Sequence, residues 1–208
     1  MKKLYSIIAA LFLVFNFVQA QDAVAKKILD GVSAKVKGLK GITANFSIAS
    51  VSNKGKSNGT KTGTISIKGQ KYFLKQGKME VISDGKTVWN YDGASTITVS
   101  SASENTNTLS PQNLLSNFYD KDFTYKLISS KGNVHEIEMY PTDKRKNFEK
   151  VTVYIDKAQN LITKAKITDK AKNTVQFTMS NLKTNATIND NVFVFNRAKY
   201  PKDVEVLD

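Results

Sequence analysis

The residues of this chain that could do chemistry are few, and their spacing does not support catalysis. Its one histidine, His135, lies in an alternating stretch that sets His135, Ile137 and Met139 on one side of a strand. A general base needs a nucleophile or carboxylate within hydrogen-bond reach, and the spacing nominates none. Asp84, Asp92, Asp156 and Asp169 all fall in turn-like segments, where Asp is expected because its side chain bonds nearby backbone. HExxH, CxxC, a Gly-rich phosphate loop and GxSxG are all missing. The expectations are a structural or surface histidine, no metal, no cofactor and no enzymatic activity.

Charge is the next feature. Lys and Arg number 31 against 18 acids, a formal net charge of +13. Removing Lys2 and Lys3 with the leader described below leaves 29 against 18, or +11. Only Arg145 and Arg197 are Arg, and no basic cluster is interleaved with aromatics, so nucleic acid is not an expected partner. The lysines are spread along strands and turns. They read either as a solvated surface that keeps strand edges apart or as an attraction for anionic lipid headgroups.

The elements that must position these residues begin after a leader. Lys2 and Lys3 precede an apolar run from Leu4 to Val18, and Val18-Gln19-Ala20 suits a signal peptidase, so residues 1–20 read as a removed signal peptide. Residues 21–208 then form a single domain without Cys, held by packing alone and unable to carry an N-terminal lipid. Val24, Ile28, Val32 and Val36, with Leu29 beside them, predict an amphipathic helix from Asp22 to Lys37, capped by Asp22 and ended by Gly38 and Gly41. Thereafter the apolar period is two. Ile42, Ala44, Phe46 and Ile48 form one strand face, and residues 52–60 form a turn.

Further strands follow around Gly63–Ile67, Phe73–Leu74, Met79–Ile82, Lys86–Asp92 and Ile97–Val99. Ser110-Pro111 opens a second helix with Leu114, Leu115, Phe118 and Tyr119 on one face. Strands then resume from Phe123 to Leu182, with a short one at Phe193–Phe195. Short joints between them predict an antiparallel meander. About eleven strands with two to three helices describe a mainly β (α+β) fold, a large and strongly curved sheet or an incomplete barrel, its helices covering an apolar cavity.

One segment is specific. Val81-Ile82-Ser83-Asp84-Gly85-Lys86-Thr87-Val88-Trp89-Asn90-Tyr91-Asp92 resembles the hairpin of the LolA-like outer-membrane lipoprotein carrier family. Weaker features agree in order: Phe46, Ser-Pro-x-x-Leu-Leu at Ser110–Leu115, Asn160-Leu161-Ile162, Phe193–Phe195 and Pro201–Val206. The resemblance implies an incomplete eleven-stranded barrel and a periplasmic, monomeric carrier. Its cargo would be the acyl chains of lipidated lipoproteins, received from an inner-membrane ABC lipoprotein exporter and passed to an outer-membrane acceptor. Phe46, Ile65, Phe73, Trp89 and Tyr91 are expected to line the cavity, with Leu114, Leu115 and Phe118 as its lid.

In one place the chain departs from that family. An Arg-Pro pair often follows the second strand there, the Arg latching the lid. Here the stretch reads Ile67-Lys68-Gly69-Gln70-Lys71, leaving Lys68 as the latch candidate without a guanidinium's planar fork. Two alternatives stay open: a carrier of free glycolipid or another acylated molecule, and a lipid-sensing periplasmic regulator of similar fold.

Overall fold

A computed structural model describes residues 22–102 and 122–208. The expected signal peptide and second helix, with Leu114, Leu115 and Phe118, lie outside the described residues.

Helix α1 spans Ala23–Lys37 and is capped as the sequence predicts. One oxygen of Asp22 accepts from the amides of Val24 at 2.9 Å and Ala25 at 3.0 Å, and Gly38 closes the last turn. The buried stripe is Ala25, Leu29, Val32 and Ser33, while Val24 is 57% exposed. A strict spacing of four drifts about 40° per step from the 3.6-residue helical period. The contact face therefore centres on Leu29 and Val32 and leaves Val24 behind.

The strands are β1 Ile42–Val51, β2 Ser57–Lys68, β3 Lys71–Gln76, β4 Met79–Ser83, β5 Thr87–Tyr91, β6 Thr96–Ser101, β7 Phe123–Ser129, β8 Val134–Pro141, β9 Phe148–Asp156, β10 Leu161–Asp169, β11 Thr174–Thr184 and β12 Glu205–Leu207. All twelve belong to one sheet, ordered β12-β6-β5-β4-β3-β2-β1-β11-β10-β9-β8-β7. Two meanders, β1–β6 and β7–β11, are stitched together where β1 pairs with β11. Among the described residues every pairing is antiparallel except β12 on β6. The sheet stays open between its edges, β12 and β7, in agreement with the expected incomplete barrel.

Three details differ from expectation. The turn after β1 is shorter than residues 52–60, because β2 already begins at Ser57. Phe193–Phe195 is not a strand. Asn189 accepts from the amide of Asn191 at 3.0 Å and starts a 3-10 turn over Asp190–Phe193, leaving Phe195 free to stack on the sheet. The final strand is β12 instead, anchored by the amide of Glu205 on the carbonyl of Ser95 at 2.8 Å.

The two faces of the sheet are covered by different parts of the chain. Helix α1 lies on the inner face, contacting β7 and β10. On the same face Ile137, Met139, Val151, Val153 and Ile155 are fully buried. On the outer face the segment after Ile188 packs across β3–β6.

Candidate functional site

Residues directly opposite each other in antiparallel strands share a face, so the pairing defines the inner surface residue by residue. One row runs Leu127, Ile137, Val153, Ala165, Phe177, Ile48 across β7, β8, β9, β10, β11 and β1. A second runs Ala44, Ile65, Leu74, Val81 across β1 to β4, and a third Ile42, Ile67, Tyr72, Ser83, Val88 across β1 to β5. The result is a continuous apolar face, solid under α1. Away from the helix Ile48, Leu74, Val81 and Phe177 are only half-buried.

Phe46 and Ile65 belong to this face. Phe46 stacks on Phe177 at 5.6 Å between centroids, and lies over Gly63 on the neighbouring strand. A Cβ at Gly63 would meet the Phe46 ring at 2.5 Å and the Lys75 carbonyl at 2.1 Å, so only glycine admits the ring here. Ser83 is fully buried and hydrogen-bonds Tyr72, its cross-strand partner. Burial raises the Tyr72 hydroxyl above the usual tyrosine value, and the Ser83 bond partly offsets that. No buried side-chain polar atom lacks a partner among the described residues.

Phe73, Trp89 and Tyr91 belong to the other face, which corrects the expectation that they line the same cavity. Phe73 pairs with Ser66 and Ile82, Ile82 with Trp89, and Tyr91 with Glu80 and Ile97. On that side Trp89 stacks on Phe195 (5.4 Å, 5°), Phe195 on Tyr200 (5.5 Å), and Tyr200 meets Tyr91 edge-on (5.0 Å). The Tyr200 hydroxyl donates to Glu80 at 3.1 Å, and burial with this carboxylate pushes its pKa up to about 12. Arg197 holds the loop in shape by donating to the carbonyls of Pro201 and Val204, both at 2.8 Å. These aromatics fasten the C-terminal segment to the sheet.

Lys68 also turns outward. Its ammonium donates to the Ile188 carbonyl at 3.4 Å and to Asp190 at 3.0 Å, while Lys71 takes the other Asp190 oxygen at 2.9 Å. The latch candidate therefore grips the C-terminal segment. His135 sits at the end of the inner face on β8, bonded to the Ser130 hydroxyl at 2.9 Å, and burial with nearby Lys157 lowers its pKa. Among the described residues no cluster of potential ligands could hold a metal ion, and no helix is long and apolar enough to cross a membrane.

Tyr72, Leu74, Val81 and Phe177 were missing from the expected lining. Counting through the two-residue turn Gly69-Gln70 finds the first two, because it pairs Ile67 with Tyr72 and Ile65 with Leu74.

A family model described as "Outer membrane lipoprotein carrier protein LolA" matches residues 37–196. The fold is similar to that of an uncharacterized conserved protein from Thermus thermophilus, with a TM-score of 0.58 and 14% identity over 88% of this chain and 98% of that one. MucB superposes with a TM-score of 0.52 and 14% identity over 85% of this chain and 64% of its own. A LolA superfamily protein from Nitrosomonas europaea superposes with a TM-score of 0.46 and 12% identity over 82% and 97%. No curated protein matches.

Proposed function

We propose, from the premise that this chain belongs to the LolA family of outer membrane lipoprotein carrier proteins, that it carries lipoprotein acyl chains through the periplasm. The observation that carries this reading is the continuous apolar inner face of an open sheet, packed shut under α1 and only half-buried at Ile48, Leu74, Val81 and Phe177. Each methylene moved from water into such a surface gains roughly 0.8 kcal/mol, so acyl chains need a shielded route between membranes. An unclosed sheet can spread to admit them, since no barrel seam must break. The lining around Ile48, Ile65, Leu74, Val81 and Phe177 supplies contact without catalysis. In this reading the chain is a monomeric carrier, an inner-membrane ABC exporter loads it, and an outer-membrane acceptor unloads it.

A second reading, a carrier of free acylated lipid, is favoured by one feature of the same face. Apart from a few hydroxyls, such as those of Tyr72, Ser83 and Tyr125, the buried interior is hydrocarbon, which reads chain and not headgroup. Native mass spectrometry with a lipoprotein in acylated and unacylated forms separates the two. A complex with the acylated form alone supports the lipoprotein carrier. No complex with it, together with free lipid in a solvent extract of the purified protein, favours the second reading.

A further inference from the structure

We infer that the end of the sheet bearing turns 52–56, 142–147 and 170–173 docks on the anionic surface of a phospholipid bilayer. These turns carry seven Lys and Arg and one acid, Asp143, which Arg145 neutralises at 2.8 Å. Lys54, Lys56, Lys144 and Lys170 are exposed and form no ion pair among the described residues. The turns are tied into one platform. Asn53 donates from its side chain to the Ala171 carbonyl at 2.9 Å, while its amide donates to the Asn173 side chain at 3.0 Å. The Lys170 ammonium donates to the Lys144 carbonyl at 2.8 Å, joining the third turn.

Charge alone does not select this end, because Lys40, Lys86 and Lys131 are exposed at the other. The interior does. Helix α1 closes the other end: Asp22 bonds Leu127, and a Cβ at Gly31 would come within 3.1 Å of the Asn160 side chain in the β9–β10 turn. No described helix crosses the inner face at the lysine end. There the inner face finishes with Ile167, Phe177 and Val175, the last 38% exposed, beside the basic turns. A hydrocarbon rim ringed by cations complements an anionic bilayer, whose phosphates meet the lysines while the rim faces the acyl layer. This goes beyond the carrier reading, and vesicle binding needs no cargo, so the two can fail separately.

Vesicle flotation tests it, using phosphatidylcholine vesicles with and without phosphatidylglycerol. Binding is expected only with phosphatidylglycerol, and it should fade as salt shortens the screening length from ~30 Å at 0.01 M to ~10 Å at 0.1 M. Neutralising the lysines as K54Q/K56Q/K144Q/K170Q should weaken it roughly five-fold per lysine, several hundred-fold in all. K40Q/K86Q/K131Q should stay within a few-fold of the parent. Circular dichroism melts verify that both variants are folded, and the exposed turn positions make folding of each expected. V175D should also weaken binding by repelling the rim. Equal loss from the two lysine sets would overturn the proposal, leaving only general attraction, as would no binding at low salt.

Discussion

The carboxylate of Asp22 joins two elements at once: one oxygen caps α1, and the other accepts the backbone amide of Leu127 at 3.0 Å. Leu127 lies on β7, an edge of the open sheet, so the bond occupies a donor that would otherwise face an unpaired edge. The Leu127 amide is the main cause holding the Asp22 pKa below its usual value, followed by Ala25. A depressed carboxylate pKa contributes stability that is present above the unfolded value and lost as pH falls through the folded one. Asp22→Ala should cost about 1–2 kcal/mol by loss of the cap. Asp22→Asn should retain part of that and flatten the acid limb of a urea-stability profile below pH 5. An unchanged acid limb in Asp22→Asn would show that the carboxylate does not hold the edge.

Gly63 and Phe46 form a second dependency. The backbone of β3 leaves no room for a Cβ at Gly63, and the Phe46 ring fills the space above it. Gly63→Ala should destabilise by about 1–3 kcal/mol, the usual range for overpacking. Adding Phe46→Leu should restore only part of the loss. The ring can retreat, but the Lys75 carbonyl at 2.1 Å belongs to the backbone. Full rescue in chemical denaturation would mean that the backbone yields as readily as the side chain.

The strand pattern was legible because alternation survives in β1, β8 and β9, whose inner residues are buried and outer ones polar. The cap at Asp22 and the Asp84-Gly85 turn were equally plain: Asp84 accepts the amides of Lys86 and Thr87, both at 2.8 Å, and Gly85 has φ +94°. Face assignment was harder. Phe73, Trp89 and Tyr91 are apolar like Phe46, but here both faces of β3–β6 are covered, so residue type no longer distinguishes inside from outside. Parity through the turns carries that information, and a one-residue slip reverses it. Covering of the outer face by residues 188–204 was not readable, since it depends on contacts more than 100 residues apart, such as Tyr200 with Glu80.

Trp89 is the only tryptophan, so its fluorescence reports the outer face alone. Filling the interior with a fatty acid should leave its emission maximum unchanged, because the sheet stands between ligand and indole. Removing its stacking partner with Phe195→Ala should shift emission to the red as water reaches the ring. A blue shift on adding fatty acid would put Trp89 in contact with cargo and sink the division into two faces.

Lys68, Lys71 and Asp190 make the last prediction. The two ammonium groups hold one carboxylate at 3.0 and 2.9 Å, and Lys71 first, then Lys68, keeps its pKa below the ordinary value. All three are substantially exposed, so water and salt screen the clasp and it adds little to global stability. Its effect should be local. Asp190→Asn should leave the thermal midpoint within a few degrees of the parent, yet raise hydrogen exchange and proteolysis across residues 188–195. The stacked aromatics from Phe195 to Tyr200 should keep the rest of the segment in place. Because the carboxylate is favoured in its charged form by its partners, the parent should show the same local loosening as pH falls below the unfolded Asp value and through the folded one, whereas Asp190→Asn should show it at every pH. Should residues 188–195 exchange identically in the two proteins at pH 7, burial of the Phe193 ring, only 1% exposed, and not the clasp fixes the segment.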